Sequence, residues 1–181
     1  MGTPALLFVV GASGAGKTAA VRALEARALR GVQCYYFDTL GVPGPAVMER
    51  DWGGGERWQE DATKRWIERL VANLDQVEVA VLEGQTRPSF VEPLVVRAGV
   101  KHSRIVLLDC VPEVRAERLR GPRGQPDLAS RQMQEWAAYL RGQADALGLT
   151  VLDTSRMSIE AVADGLHQEL VILRSAAGAA A

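Results

Sequence analysis

Short apolar runs alternate along this chain with longer segments in which apolar residues recur at every third or fourth position. The runs have the length of buried strands, and they lie at residues 5–10, 33–37, 78–82, 104–109 and 150–152. The periodic segments predict helices at residues 19–29, 46–51, 56–74 and 112–119, a helix opened by the capping-box pattern at 89–92, a long helix ending at 147 and a last helix after 158. Strands that alternate with helices in this way predict an α/β fold built on a parallel sheet.

The turn between the first strand and the first helix carries a glycine-rich motif. Its sequence is Gly11-Ala12-Ser13-Gly14-Ala15-Gly16-Lys17-Thr18, which matches the phosphate-binding pattern G-x-x-x-x-G-K-[ST] of the P-loop. The glycines let successive backbone N–H groups face phosphate oxygens, Lys17 is placed to reach the β- and γ-phosphates, and the Thr18 hydroxyl is placed to ligate Mg²⁺. The motif therefore predicts that this loop binds a nucleotide polyphosphate.

Composition narrows the class of protein only slightly. The length of 181 residues suits one domain. The formal net charge of −1 gives no sign of a nucleic-acid-binding surface.

We expect the domain to span residues 1–174 and residues 175–181 to form a frayed tail. Because no apolar stretch approaches the length of a membrane span, we expect a cytoplasmic protein without a membrane partner. Pattern alone does not separate a monomer from a homodimer.

Charged side chains follow the predicted strands at the points where each strand ends. Asp38 follows the second strand, Glu83 and Arg87 follow the third, and Asp109 follows the fourth. Parallel α/β sheets bind their ligands at the carboxyl ends of the strands. These side chains are therefore the first candidates for a site shared with the P-loop.

On these residues the sequence resembles the P-loop small-molecule and nucleotide kinases, the superfamily of the adenylate, shikimate and gluconate kinases, chloramphenicol phosphotransferase and the zeta toxins. The resemblance covers most of the chain. It rests on the P-loop, on Asp38, on the segment Glu83-Gly84-Gln85-Thr86-Arg87, and on an arginine-rich loop that is followed by Asp153-Thr154-Ser155. It implies a three-layer α/β fold with a five-stranded parallel sheet in the order 2-3-1-4-5, a small acceptor-binding lobe at residues 42–66 and a lid at residues 118–127.

The same resemblance implies roles for the residues at the strand ends. Adenylate kinases carry D-G-[YF]-P-R after their third strand; this chain keeps the Gly and the Arg but has Glu83 and Gln85-Thr86 at the other positions, which speaks against adenylate as the acceptor. Glu83 is expected to help hold Mg²⁺ through water and to border the acceptor. Arg87 is expected to contact an acceptor phosphate or the γ-phosphate, unless it pairs with a surface carboxylate. Asp38 is expected to orient and deprotonate the acceptor hydroxyl, unless it simply closes a turn.

Further residues are expected to line the site by the same resemblance. Lid arginines would reach the nucleotide (Arg118) and the transferring group (Arg120 and Arg123), unless the loop is a solvated basic segment. Asp153, Thr154 and Ser155 would border the adenine base, unless they form a polar turn. In the lobe, Arg50 and Arg57 would bind the acceptor.

The resemblance implies a kinase that uses ATP and Mg²⁺ to phosphorylate a small molecule, which is a nucleotide, a sugar, an antibiotic or another metabolite. The main alternative is a P-loop protein that binds or hydrolyses ATP to regulate a partner. The segment Asp38-Thr39-Leu40-Gly41 fits the D-x-x-G pattern of GTPases, but the sequence has no N-K-x-D guanine motif. A kinase of nucleic-acid 5′-hydroxyls is disfavoured by the near-neutral charge. The sequence leaves open the acceptor, the choice between ATP and GTP, and whether Asp38 or Glu83 acts as the base.

Overall fold

A five-stranded parallel sheet forms the centre of the protein, as a computed structural model describes it over residues 5–74, 76–121 and 123–179. The strands are β1 (Ala5–Val10), β2 (Val32–Tyr36), β3 (Val79–Gly84), β4 (His102–Asp109) and β5 (Thr150–Asp153). Their spatial order is β2-β3-β1-β4-β5, and each pair of neighbours is parallel. The predicted α/β class and strand order are therefore confirmed.

Seven α-helices in the described residues connect or follow these strands. They are α1 (Lys17–Ala26), α2 (Pro45–Trp52), α3 (Gly55–Ala72), α4 (Pro88–Arg97), α5 (Pro112–Arg120), α6 (Arg131–Leu147) and α7 (Ile159–Gly178). Two short 3₁₀ helices lie at Phe37–Leu40 and Pro126–Leu128. In the part of the chain that the structure describes, none of the helices combines the length and the apolarity that a membrane crossing requires.

The sheet separates two apolar layers, and the central strand β1 contributes to both because its side chains alternate between faces. Leu6, Phe8 and Val10 pack with buried residues of α3, α4 and α6. Ala5, Leu7 and Val9 pack on the other face with α1 and α7. Every residue of β1 is buried, which explains why this strand reads as a continuous apolar run rather than an alternating one.

The register of the sheet brings the carboxyl ends of the strands to one edge. Val10, the last residue of β1, is paired with Gly84 of β3 and with Leu107 of β4. Glu83 is paired with Tyr36 at the end of β2, directly before the 3₁₀ helix that contains Asp38. The P-loop, Asp38 and Glu83 therefore share this edge.

Several predicted boundaries differ from the structure; the first helix, for example, spans Lys17–Ala26 rather than residues 19–29. The capping box at 89–92 is wrong: α4 begins at Pro88, which lacks an N–H and suits the first helical position, and the Ser89 hydroxyl instead accepts a hydrogen bond from Gln143. Asp38 lies in the 3₁₀ helix Phe37–Leu40, where the sequence predicts the end of the second strand and the start of a loop. Helix α7 continues to Gly178, so it includes part of the segment expected to be frayed; residues 180 and 181 of that segment, and Pro122 of the expected lid, lie outside the described residues.

Candidate active site

The P-loop has the backbone conformation that its glycines allow. Gly14 and Gly16 adopt φ values of +82° and +92°, in the left-handed region that disfavours side chains. Space is a second constraint, because a Cβ on Gly14 would lie 2.8 Å from Cγ of Arg115 in α5. Helix α1 begins directly after Gly16, and no side chain of the described residues caps it. Its first N–H groups are therefore available to an anion, as a phosphate site requires.

Lys17 points into the loop that precedes it. Its Nζ donates a 3.1 Å hydrogen bond to the carbonyl oxygen of Ala12, and the residue is 6% exposed. Burial lowers the pKa of Lys17 to about 8, and the nearby carboxylate of Glu83 partly offsets this effect. The ammonium group is thus held where the loop would wrap a polyphosphate.

Thr18 and Glu83 meet across the gap between α1 and β3. The Thr18 hydroxyl donates a 3.0 Å hydrogen bond to Oε1 of Glu83, which is 7% exposed. Burial raises the pKa of Glu83, whereas the Lys17 ammonium and the Thr18 hydroxyl act in the opposite direction. A hydroxyl and a carboxylate beside a phosphate-binding loop form the oxygen donor set that suits Mg²⁺, so the two residues fit the metal role expected of them.

Asp38 lies close enough to Lys17 and Glu83 to influence their charges. It is exposed on the 3₁₀ helix after β2, and its negative charge raises the pKa of both Lys17 and Glu83. Two contacts fix the 3₁₀ helix: the side chain of Phe37 packs against Gly84, and the carbonyl oxygen of Phe37 accepts a 2.9 Å hydrogen bond from Nε1 of Trp66. The residue expected to orient an acceptor hydroxyl is therefore held beside the P-loop.

A cavity of about 490 Å³ opens beside the P-loop, between α1 and the segment after β5. Its lining residues are Gly14, Gly16, Thr18, Ala19, Ala20, Arg22, Arg118, Arg123, Thr154, Met157, Ile159 and Val162. Polar and charged groups surround the P-loop end, and the side chains of Met157, Ile159 and Val162 supply an apolar wall. That combination suits a nucleotide, whose phosphates and base have opposite requirements.

Arg118 and Thr154 brace the P-loop at one wall of this cavity. Arg118 donates hydrogen bonds to the carbonyl oxygen of Gly14 at 3.2 Å and to the Thr154 carbonyl oxygen at 2.7 Å. The Thr154 hydroxyl lies 3.0 Å from the carbonyl oxygen of Ala15. Asp153 and Ser155, by contrast, pair in a turn, in which the Ser155 N–H donates a 2.9 Å hydrogen bond to Asp153.

The arginines of the expected lid lie in two places. Arg123 lines the cavity of about 490 Å³ beside the P-loop, and its charge lowers the pKa of both Lys17 and Glu83. Arg120 instead lines an open cavity of about 780 Å³ between α5 and the start of α6. The reason is helical geometry: α5 continues to Arg120, so Arg118 and Arg120 project about 200° apart around the helix. In this structure Arg120 is not brought to the P-loop.

Arg87 lies at the correct strand end, but its guanidinium turns toward aromatic residues. Nη1 donates a 2.6 Å hydrogen bond to Gln59, and Nη2 lies 3.4 Å from Oε2 of Glu56. The guanidinium also lies over the rings of Phe90, Trp136 and Tyr139, at 5.2, 4.8 and 5.6 Å from their centroids. The carboxylate pairing considered for Arg87 from sequence is thus present.

A chain of amide contacts links this cluster to the P-loop. Gln59 donates to the carbonyl oxygen of Gln85, and Nε2 of Gln85 donates a 2.8 Å hydrogen bond to the Ser13 hydroxyl. Helix α3 of the expected lobe is therefore connected to the P-loop through these hydrogen bonds.

The other lobe residues are more peripheral. Arg50 is exposed and forms paired hydrogen bonds of 2.6 and 2.9 Å with its neighbour Asp51. Arg57 is exposed on the first turn of α3. Trp58 belongs to the core, where its ring packs edge-on against Phe37.

Sequence reasoning missed several residues of the site. Arg22 lines the cavity because it follows Thr18 by one turn of α1, a signal that was available in the spacing. Met157 lines it from the segment after β5, where the sequence has no distinctive motif. Arg115 packs behind Gly14 and is 2% exposed, although its sequence context gives no sign of burial.

Comparisons with known proteins bear on the fold. A scan of protein-family models and a search of curated proteins found no match to this chain. Among solved structures, it is similar to a sugar kinase from Janibacter sp. HTCC2649, with a TM-score of 0.67 and 19% identity over 96% of this chain and 98% of that one. It is also similar to the tunicamycin resistance protein of Deinococcus radiodurans (TM-score 0.65, 19% identity, 92% and 95% covered) and to shikimate kinase from Acinetobacter baumannii in complex with shikimate (0.62, 17%, 94% and 94%).

These similarities cover nearly the whole of each chain. The protein therefore has the fold of the P-loop small-molecule kinases, and the resemblance predicted from its sequence is confirmed at the level of the fold. At 16–19% identity, the solved structures do not specify a substrate.

Proposed function

We propose that this protein is a kinase that uses ATP and Mg²⁺ to phosphorylate a hydroxyl group of a small molecule. The observation that carries the proposal is the convergence of Lys17, the Thr18–Glu83 pair and Asp38 at one sheet edge, beside a cavity of about 490 Å³. The fold shared with sugar and shikimate kinases supports the reaction class.

The triphosphate of ATP is bound by the P-loop in this proposal. The N–H groups at the start of α1 and the Lys17 ammonium meet its oxygens, and Arg123 adds positive charge from the lid. Thr18 would hold Mg²⁺ directly and Glu83 through water. When bound, the metal neutralises charge on the β- and γ-phosphate oxygens.

Asp38 acts on the hydroxyl group of the acceptor. Its carboxylate orients the acceptor hydroxyl and takes its proton as the hydroxyl oxygen forms a bond to the γ-phosphorus. The bond between that phosphorus and the β–γ bridging oxygen breaks, and ADP leaves. Positioning supplies much of the catalysis in phosphoryl transfer, which is why the anchoring of the 3₁₀ helix through Phe37 matters.

The acceptor binds between this 3₁₀ helix and the lobe at residues 42–66. Arg87 contributes there by exchanging its 3.4 Å contact with Glu56, an exposed partner, for a group of the acceptor. Arg57 and Arg50 are exposed at the outer surface of the lobe, where their positive charges attract a negatively charged acceptor.

A coupled assay of ADP release tests the proposal. The purified protein is supplied with ATP and Mg²⁺ and then screened against nucleoside monophosphates, nucleosides, sugars and aminoglycosides. We expect one of these classes to stimulate ADP release and to acquire the γ-phosphate, with Lys17→Ala as the inactive control. ATP hydrolysis at a rate that no acceptor changes would contradict the proposal and favour a regulatory ATPase.

A further inference from the structure

Arg115 is a buried charge that the proposed reaction does not use directly. It is 2% exposed in the middle of α5, and its guanidinium donates three hydrogen bonds. The acceptors are Oδ1 of Asp109 at 2.6 Å, the carbonyl oxygen of Cys110 at 2.9 Å and Oε1 of Gln134 at 2.6 Å. A buried guanidinium is costly unless it is paired, so these contacts confine it to one position.

The aliphatic part of the same side chain supports the P-loop. Its Cγ lies so close to Gly14 that a Cβ there would come within 2.8 Å, and the carbonyl oxygen of Arg115 would lie 3.1 Å away. One turn further along α5, Arg118 donates to the carbonyl oxygen of Gly14. Two arginines of α5 thus contact Gly14: Arg115 packs against it, and Arg118 donates to its carbonyl oxygen at the wall of the cavity of about 490 Å³.

Gln134 connects Arg115 to α6, the helix that follows the expected lid. It lies in the first turns of α6, and its Nε2 also donates a 3.3 Å hydrogen bond to the carbonyl oxygen of Pro112 at the start of α5. The expected lid, residues 118–127, begins in the last turn of α5 and ends shortly before α6. The contact between Arg115 and Gln134 therefore joins the two helices that flank the expected lid.

We propose that Arg115 and Gln134 are positioning residues that hold Gly14 of the P-loop in a fixed relation to both ends of the lid, so that nucleotide affinity depends on the contact between them. This inference rests on the proposed nucleotide site. Neither side chain lines the cavity of about 490 Å³ beside the P-loop, so each acts through Gly14 and through the placement of α5 and α6. Without Gln134, the Arg115 guanidinium keeps only its hydrogen bonds to Asp109 and Cys110. The Arg115 side chain, which packs against Gly14, then shifts.

The test compares two glutamines of α6. Gln134→Leu removes the contact with Arg115, whereas the control Gln143→Leu removes hydrogen bonds to Ser89 and Tyr139 further along the same helix. Both side chains are half-buried. Binding of a nonhydrolysable ATP analogue with Mg²⁺ is measured by calorimetry, together with the thermal midpoint of each variant and the protection of the lid from protease by the analogue.

We expect Gln134→Leu to raise the Kd of the analogue roughly threefold to tenfold and to weaken the protection of the lid. Gln143→Leu should lower the thermal midpoint to a similar extent but leave the Kd near the wild-type value. Arg115→Lys, which keeps a charge for Asp109 but loses the planar fork, should raise the Kd as well. Equal Kd values for wild type and Gln134→Leu would overturn the inference alone, whereas a wild-type protein that does not bind the analogue would overturn the nucleotide site itself.

Discussion

The hydroxyl of Thr18 and the carboxylate of Glu83 lie 3.0 Å apart, although 65 positions of sequence separate the two residues. The contact joins the first turn of α1 to the end of β3, and it exists because β1 and β3 are paired in register up to Val10 and Gly84. Two residues expected from sequence to serve the same metal ion are therefore neighbours in the fold.

Glu83→Gln should weaken the response to Mg²⁺. The amide keeps the size of the side chain but loses the charge that would hold the hydrated ion. We expect the Mg²⁺ concentration at half-maximal ADP release to rise about tenfold to a hundredfold. A magnesium titration at fixed ATP measures this, and an unchanged half-saturation would remove Glu83 from the metal site.

The lowered pKa of Lys17 predicts opposite trends in affinity and stability above neutral pH. The ammonium form binds phosphate, so the affinity for ATP should fall as pH rises through about 8, by about fivefold between pH 8 and pH 9. In the free protein, the folded-state pKa lies below the ordinary value of 10.5, so the unfolded chain holds more protons between pH 8 and 10.5. The unfolding free energy should therefore rise with pH across that window.

Comparison with Lys17→Met isolates this contribution, because the other titrating groups remain. The stability difference between wild type and Lys17→Met should shift in favour of the wild type by about 2 kcal/mol from pH 8 to pH 10. Denaturant unfolding at several pH values measures the shift. A difference that does not vary with pH would show that the pKa of Lys17 is not lowered.

Asp38→Asn should separate transfer from nucleotide binding. The amide retains the shape of the side chain but does not accept a proton, so acceptor-stimulated ADP release should fall by roughly a hundredfold to ten-thousandfold. The Kd of the ATP analogue at pH 7 should stay near that of the wild type. Normal turnover in this variant would mean that Asp38 simply closes the turn after β2.

Gly84→Ala should disturb the site through Phe37. The new Cβ would overlap Cβ of Phe37 and lie 2.8 Å from its Cγ, so the 3₁₀ helix that carries Asp38 must move. We expect a loss of about 1–3 kcal/mol in unfolding free energy, together with slower transfer. The matched control is Gly142→Ala in α6, where a Cβ meets no atom within 4 Å of those described and should stabilise the helix by about 0.5–1 kcal/mol. Equal stabilities of the two variants would contradict the steric role of Phe37.

The features that sequence predicted well depend on local motifs and on topology. The P-loop follows from a contiguous pattern, and the meeting of Asp38 with Glu83 follows from the parallel sheet, which gathers strand ends at one edge. Neither prediction needs the direction of a long side chain.

The sequence did not predict the directions in which several arginine side chains point. Arg120 was expected in a loop, but α5 continues to that residue and turns it away from Arg118. Arg87 is at the expected strand end, yet its guanidinium lies over aromatic rings. Phe90 is only three residues away, but Trp136 and Tyr139 belong to α6, which is distant in sequence. Arginine usually lies at the surface of a protein, but Arg115 is buried. Its partner Gln134 is far along the sequence and reaches it only in the folded chain.

The most direct test of the nucleotide site is equilibrium binding of ATP and Mg²⁺ to the wild-type protein and to Lys17→Ala. The wild type should bind with an affinity that depends on Mg²⁺, and Lys17→Ala should show no measurable binding, because the buried ammonium is the charge inside the P-loop. Equal affinity in the two proteins would contradict the claim that residues 11–18 wrap the triphosphate.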